Sequence, residues 1–327
     1  MTVLSIDGGT TNTRLVLIQS GEILAAEKFG LGARNSVSDG AFSYAEHLTD
    51  AVTDFLDRQA DVPEVALASG MICSEAGLGL SPYVPAPADA DALAAEAVLL
   101  RLQSLPHLNL WLIPGMRTVR PTHDPADIDV MRGEETELLG ICRQMGFRSP
   151  SVVLLPGSHF KTVFLTADGA VEDFRTSLSG ELVRAAAENT ILREKLYGVY
   201  PKTVDPVSLL RGYDCARECG VNEALFRVRI RQKFIPGETP ETLFAFLLGI
   251  VLSSDVEELK KRCGDRSIFV GGSDPFRGAY VRLLRERGGL PAEEIPESVS
   301  EYATAYGAER IAEAMKAGET KWETKQN

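Results

Sequence analysis

The sequence predicts an α/β protein built from two similar halves, each a mixed sheet flanked by helices. Three observations carry this expectation. First, the stretch Val3–Leu24 is partly repeated at Ser151–Glu172 with an offset of 148 residues, which lays Gly9 on Gly157, Thr10 on Ser158, Leu17 on Leu165, Gly21 on Gly169 and Ile23 on Val171. Each copy reads as an apolar run, a small-residue turn, a second apolar run, a glycine turn and a third short strand. Second, short apolar strands alternate with long helical patterns elsewhere, which marks the α/β class. Third, 327 residues at 44% hydrophobic are enough to bury two cores. The expected domains are residues 1–149 and 150–327, divided near Phe147-Arg-Ser-Pro150, with the final helix packing back near the hinge.

The elements follow in order. Residues 3–28 form a three-strand meander, and Phe42, Ala45, Leu48, Val52, Phe55 and Leu56 fall at helical spacing. A strand is expected at Val65–Ala68, followed by the glycine-bearing segment Ser69–Gly77. Met71, Ile72 and Trp111 read as core or wall residues. The Pro/Ala-rich stretch 81–90 is a connection rather than a helix. Leu110–Ile113 is a strand, 117–129 a loop, and a helix begins near Glu134, supported by Leu138, Ile141, Cys142 and Met145. After the second meander the pattern predicts a helix from about Leu178 to Tyr197 with Leu182 and Ala185 inside. Residues 206–263 are mainly helical with a break at Ile235–Pro240, Ser267–Val270 is a strand, and a last helix spans Ala303–Ala314 before a polar tail expected to be disordered.

Bulk properties narrow the function. The formal charge of -12, spread along the chain, favours solubility and argues against a general nucleic-acid surface. No apolar run approaches the roughly 20 residues of a membrane span, and the N-terminus lacks a signal-peptide pattern, so a cytoplasmic protein is expected. The five cysteines, odd in number and irregular in spacing, read as reduced structural thiols. Cys215 and Cys219 fall one helical turn apart, but no second ligand pair follows. Without clustered His or Cys, a zinc centre is not expected.

The turns carry the chemistry. In Asp7-Gly-Gly-Thr-Thr-Asn-Thr-Arg14, Gly8 and Gly9 permit a tight turn whose N–H groups can converge on an anion. Thr10, Thr11 and Asn12 add side-chain donors and Arg14 adds charge. Asp7 would repel phosphate but suits Mg²⁺ held through water. An ordinary hairpin with solvated polar residues fits the same spacing. The second turn, Pro156-Gly-Ser-His-Phe-Lys161, keeps glycine and hydroxyl in register with the first, which favours two turns offered to one polyanion. There His159 and Lys161 flank Phe160 and would share a strand face, with Lys161 free to neutralise a phosphate or a carboxylate. Neither turn ends in the Gly-Lys-Ser/Thr of a P-loop. A third turn, Gly271-Gly-Ser273, leaves room for a base or ribose against the backbone.

Asp129-Val-Met-Arg-Gly-Glu-Glu-Thr-Glu137 is the densest reactive stretch. Glu134 and Glu135 would open a helix, whose dipole holds them ionised. Such a group can still orient a hydroxyl and take its proton late in transfer to phosphorus. Simple helix-terminal charge placement accounts for them equally. Asp173 and Arg175 form a second polar group, where an arginine could grip a carboxylate in two-point fashion or an Asp/Arg pair could brace a surface.

Together these segments resemble the 2-dehydro-3-deoxygalactonokinase family, within the actin-like, hexokinase and Hsp70-type ATPase superfamily. Ile6–Arg14 is generic to that superfamily. Ile113-Pro-Gly115, Val130–Gly140, Pro156–Lys161 and Asp173–Leu182 make the resemblance specific. It implies two ribonuclease-H-like domains with Mg²⁺-ATP and substrate in the cleft between them. It further implies phosphate-binding by Gly8, Gly9, Thr10, Thr11, Asn12, Arg14, Gly157, Ser158, His159 and Lys161, with Asp7 on the metal and Gly271, Gly272 and Ser273 on the adenosine side. Glu134 is the implied base, with Glu135 and Asp129 in reserve, and Arg132, Lys161, Asp173 and Arg175 are the candidates at the substrate. The implied reaction phosphorylates the C6 hydroxyl of 2-dehydro-3-deoxy-D-galactonate for a later aldolase step. A kinase for another sugar or sugar acid, and a nonenzymatic actin-like ATP-binding protein, are the alternatives. No nucleic-acid or membrane partner is expected; a homo-oligomer is open.

Overall fold

The computed structural model describes residues 1–9, 11–32, 41–102, 105, 107–120, 124 and 127–326, with side chains given except at 41–44 and 319–326. Two compact units divide it: Met1–Arg148, Thr166–Asp173 and Glu297–Asn327 form the first, Ser149–Leu165 and Phe174–Pro296 the second. The C-terminal segment therefore belongs with the first unit, not with the half in which its sequence position puts it.

The first unit begins with the expected meander: β1 (Thr2–Gly8), β2 (Thr13–Gln19) and β3 (Glu22–Phe29) pair antiparallel in sequence order. Helix α1 (Ala41–Leu56) turns Leu48, Val52 and Phe55 onto the sheet. Each such side chain contributes about 1.5–3 kcal/mol of burial. Then β4 (Val65–Gly70) runs parallel to β1, β5 (Tyr83–Pro85) and the short α2 (Ala90–Ala95) follow, and β6 (Val98–Leu100) pairs antiparallel to β7 (Leu110–Leu112). The main sheet has the order β3-β2-β1-β4-β7-β6. A small second sheet joins β5 to β8 (Gly115–Arg117) and β9 (Val130–Met131), and β9 leads directly into α3 (Glu134–Met145).

The second unit repeats the plan. Its meander is β10 (Ser151–Leu155), β11 (Phe160–Leu165) and β12 (Val171–Ser177). Helices α4 (Ser179–Asn189), α5 (Arg193–Leu196), α6 (Pro206–Cys219), α7 (Val221–Phe234) and α8 (Pro240–Arg262) follow. Next come β13 (Ser267–Val270), α9 (Phe276–Leu283) and β14 (Ala292–Glu294). The sheet order is β12-β11-β10-β13-β14, with β10, β13 and β14 parallel. This matches β3-β2-β1-β4-β7 strand for strand. The chain ends in α10 (Glu297–Ser300) and α11 (Ala303–Gln326), the latter longer than the Ala303–Ala314 its pattern predicts.

Glycines set the closest approaches. Gly140 of α3 and Gly307 of α11 cross so tightly that a Cβ on either would lie 1.8 Å from a carbonyl oxygen of the other helix, Ala303 or Thr136. This crossing ties the C-terminal helix to the first unit. Gly212 and Gly249 do the same for α6 and α8, at 2.0 Å. Helix α8 is apolar all round from Leu243 to Leu252 and lies buried among its neighbours.

Two local expectations are corrected. The helix predicted from Leu178 to Tyr197 breaks at Thr190, whose hydroxyl donates to the Ala186 carbonyl and accepts from the Leu192 N–H. On α4, Val183, Ala186 and Ala187 face the core while Leu182 and Ala185 point outward. Gly180 fixes that rotation, because a Cβ there would meet the Gly157 carbonyl oxygen at 1.9 Å.

Replacing Gly307 by alanine should lower stability by about 3 kcal/mol or more, because backbone cannot yield as a side chain does. Gly318→Ala, with open space around it on the same helix, should instead gain roughly 0.5–1 kcal/mol. Urea unfolding of both variants checks the pair.

Candidate active site

The first turn leaves the carboxyl end of β1. Asp7 pairs across the hairpin with Arg14 and Gly8 with Thr13, and the Gly9 N–H closes the turn on the Asn12 carbonyl at 2.9 Å. The Gly9 N–H is thus occupied by the turn itself, and open donors must come from further round. Thr11 and Asn12 are exposed there, joined by Asn12 Nδ2 to Thr11 Oγ1 at 3.0 Å. Thr10 lies outside the described residues. Arg14 donates to the Glu301 carbonyl.

A chain of glycines brings an acidic helix to Asp7. Gly70, at φ +85, ends β4 so close to β1 that a Cβ would sit 2.7 Å from the Gly8 carbonyl oxygen and 3.6 Å from Asp7 Oδ1. Gly133, at φ +111, lies against Gly70 in turn, where its Cβ would be 3.0 Å from the Gly70 Cα. Gly133 immediately precedes α3, whose first turn holds Glu134, Glu135 and Glu137. Only residues without side chains, in left-handed conformations, allow this stack.

The three glutamates do different things. Glu135 is buried and accepts the Gly133 N–H on both oxygens, at 2.9 and 2.8 Å. Burial, then the charge of Glu134, pushes its carboxyl up to about 7. It fastens the helix start and is not a free base. Glu134 is half-buried and accepts the Arg132 N–H at 3.1 Å. Glu137, one turn on, lines a cavity of about 320 Å³ together with Asp7, Gly9, Thr11, Asn12, Arg14 and Lys28. Burial, then Glu134, Asp7 and Glu135, push the Glu137 carboxyl up to about 8, against the pull of Arg14. The Asp7 carboxyl is also raised, chiefly by burial and further by Glu134, while Arg14 and Lys28 oppose the rise. Asp129 does not line this cavity; it accepts its neighbour's Val130 N–H at 2.8 Å. Glu137 was not among the expected site residues, although its i+3 spacing from Glu134 puts both on one helix face.

The basic candidates separate likewise. Arg132 donates to the carbonyls of Cys73 and Ser81 and to the Ser81 hydroxyl, and its guanidinium lies 4.3 Å above the Tyr83 ring. It clamps the segment after β4 to β9 and is not an open receptor for a substrate carboxylate. Asp173 lies 3.6 Å from Arg120 in an ion pair. In the second unit Lys161 is buried and donates to Thr176 at 2.7 Å, while His159 is half-exposed and 3.2 Å from Glu181, so the two do not share a face. Arg175 lines a separate cavity of about 200 Å³ with Asp255 and Arg262.

The second unit reproduces the glycine geometry of the first. Gly272, at φ +70 beyond β13, would place a Cβ 2.8 Å from the Pro156 carbonyl oxygen. Pro156 is the repeat partner of Gly8, so Gly272 stands to Pro156 as Gly70 stands to Gly8. The turns Gly157–Ser158 and Gly271–Ser273 therefore adjoin at the carboxyl ends of neighbouring parallel strands, where ligands of open α/β sheets gather. Gly157, Ser158 and Ser273 are exposed.

Two sheets of one ribonuclease-H-like order, each with such turns at the carboxyl ends of its parallel strands, define an actin-like ATPase fold. The activator of 2-hydroxyisocaproyl-CoA dehydratase from Clostridium difficile, solved with ADPNP, has a similar fold at 14% identity and a TM-score of 0.53, over 98% of each chain. The family model for 2-keto-3-deoxy-galactonokinase matches residues 7–305, and the chain belongs to that family of kinases. The 2-dehydro-3-deoxygalactonokinase of Escherichia coli (strain K12) is 28% identical over 264 residues, 79% of this chain and 80% of that protein. A candidate enzyme of the same name from Rhizobium meliloti (strain 1021) is 31% identical over 58% of this chain and 57% of its own length. The crystal structure of a candidate 2-dehydro-3-deoxygalactonokinase from Sinorhizobium meliloti superimposes with a TM-score of 0.78 at 25% identity, covering 96% of this chain and 99% of that one.

The raised carboxyls have a measurable consequence. Glu135 and Glu137 titrate higher in the folded state, near 7 and 8, than the ordinary value of 4.5. Between about pH 4.5 and 8 the folded state therefore holds more protons than the unfolded one, and stability falls as pH rises through that window. Glu137→Gln should flatten the decline and raise Tm at pH 8 by a few degrees over the parent protein, with little difference at pH 5. Thermal melts across pH 5–8.5 without nucleotide or metal decide this.

Proposed function

We propose that this kinase transfers the γ-phosphoryl group of ATP to the C6 hydroxyl of 2-dehydro-3-deoxy-D-galactonate, with Glu134 as the group that orients and deprotonates that hydroxyl. The observation that carries the reading is the meeting of Asp7 and Glu137 in the cavity beside the hydroxyl-bearing turn that leaves β1, with Glu134 one turn earlier on the same helix and near enough to push both carboxyls up. In a loose phosphoryl transfer the acceptor proton leaves late, so a carboxylate at a helix N-terminus suffices as base. Positioning and charge stabilisation carry the catalysis.

Mg²⁺ fits the donor set. Asp7 and Glu137 are acids held with too little neutralising charge, and the bare Cα of Gly70 leaves space beside Asp7 Oδ1 that a Cβ would fill. Among the described residues no group of three or more His, Cys, Asp or Glu could by itself hold an ion. That suits an ion held largely by water and phosphate, as Mg²⁺ is. Asp7, through water, and Glu137 would hold it, and it would neutralise charge on the nucleotide phosphates.

The remaining roles are assigned by chemistry. Thr10, Thr11 and Asn12 would donate to phosphate oxygens from the first turn, with Arg14, which lines the same cavity, adding positive charge. Gly157, Ser158 and His159 would do the same from the second, with buried Lys161 supplying positive potential. Gly271, Gly272 and Ser273 would lie on the adenosine side. Among the described residues no helix is long and apolar enough to cross a membrane, and we assign the enzyme to the cytoplasm.

ADP release with Mg²⁺-ATP, compared across the galactonate compound, its gluconate-series epimer, glucose and no acceptor, tests the reading. Stimulation confined to the galactonate compound is expected; preference for glucose would sink it. Glu134→Gln should lower kcat by roughly 10²–10⁴-fold while leaving the KM for the sugar acid within a few-fold, as steady-state kinetics will show.

A further inference from the structure

The cavity beside the first turn holds a cation to which none of the roles above is given. Asp7 of β1 pairs directly with Arg14 of β2, and Arg14 with Lys28 of β3. Residues directly opposite one another in a sheet send their side chains to the same face. Asp7, Arg14 and Lys28 therefore form a row across three strands, and all three line the cavity of about 320 Å³ that Glu137 lines from α3. Neighbouring Glu27 points to the opposite face, where Arg58 beyond α1 takes its carboxylate in an ion pair.

The charge of Lys28 reaches Asp7, whose carboxyl it helps to draw down against burial. Lys28 is exposed, and among the described residues it has neither a hydrogen bond nor an ion pair. Arg14 and Lys28 are like charges placed directly opposite, which a sheet disfavours. Arg14 is anchored, since its guanidinium donates to the Glu301 carbonyl; Lys28 has no such anchor. Ser300 lines the same cavity, and its hydroxyl is buried with no hydrogen-bond partner among the described residues. Two donors at one cavity, a cation and a hydroxyl, thus lack acceptors. An anion with several acceptor oxygens would supply both and relieve the repulsion between Arg14 and Lys28.

Position selects the anion. Thr11 and Asn12 of the hydroxyl-bearing turn line this cavity together with Asp7 and Glu137. Lys28 stands two strands from Asp7, roughly 9–10 Å along the row. That interval leaves room for a phosphoryl group between carboxylate and ammonium. Glu134, the base of the kinase reading, lies one turn before Glu137 on α3. The phosphoryl group that this cavity meets is therefore the one nearest the acceptor hydroxyl, which in ATP is the terminal one.

We propose that Lys28 donates to the oxygens of the γ-phosphoryl group of ATP and is a catalytic residue of the transfer. This rests on the kinase reading above and deepens it. The ammonium acts there as a point charge. It offsets negative charge on oxygens that the acids across the cavity repel.

Calorimetric titration with ADP and with a nonhydrolysable ATP analogue, each with Mg²⁺ and without sugar, tests the contact on the full chain. The parent should bind the analogue more tightly than ADP. Lys28→Gln should weaken the analogue about 10–100-fold and leave ADP nearly unchanged. Lys28→Arg, which keeps the charge, should restore most of the preference. With the sugar acid added, Lys28→Gln should lower kcat by about 10–100-fold and leave the KM for the sugar acid nearly unchanged. Its Tm should stay within about 2 °C of the parent, because the side chain is exposed, and this separates a lost contact from a damaged fold. An unchanged preference for the analogue in Lys28→Gln overturns the proposal. Equal weakening of both nucleotides overturns it as well, and so does a rise confined to the sugar-acid KM, which would give Lys28 to the carboxylate. A parent that binds the analogue but phosphorylates no acceptor overturns the kinase reading and with it the catalytic role, while the binding ratio still decides the phosphate contact.

Discussion

The contact on which the site depends is one of backbone on backbone. At the carboxyl end of the first sheet, Gly8, Gly70 and Gly133 stack with no side chain between them. A methyl group on Gly70 would strike the Gly8 carbonyl, and one on Gly133 would strike Gly70. Separating these segments by even the width of a methyl group would carry the start of α3 away from Asp7. The strand order, the turn and the acidic helix all meet at this point because nothing there occupies volume. The second unit uses the same device, with Gly272 over Pro156.

What the stack assembles is electrostatically unfavourable on its own. Asp7, Glu134, Glu135 and Glu137 crowd onto one strand end and one helical turn, and three of the four carboxyls are driven above their ordinary range. Arg14 and Lys28 relieve part of the repulsion, and the helix N-terminus relieves another part. Glu135 is the exception in function: its two bonds to Gly133 make it a fastening. Asp7 and Glu137 line an acidic pocket next to hydroxyl donors, suited to a cation bridged to phosphate, with Glu134 close by. A protein gathers unpaired acids in this way at functional sites far more readily than for stability.

How legible this was from the residues varied with range. The meanders were plain, because glycine turns and apolar runs act over a few residues, and the offset of the two copies survived in both sheets. The helix starting at Glu134 was equally plain. Glu137 was passed over because its importance lies in facing Asp7, a residue far away in sequence. Arg132 looked like a substrate receptor, yet its acceptors lie 59 and 51 residues earlier. Leu182 and Ala185 were turned outward by one glycine contact that no periodicity reveals.

Short-range chemistry was thus enough to set the fold class, the duplicated halves, the turns after the first strands and the family. These follow from residue type and spacing, which act before the chain has any long-range order. Long-range packing chose the rest: which glutamate faces the cavity, which arginine is occupied, and which unit holds the last helix. Each of those outcomes depends on a contact between residues far apart in sequence, often through the backbone of a glycine. A single sequence encodes that glycine without showing what it touches.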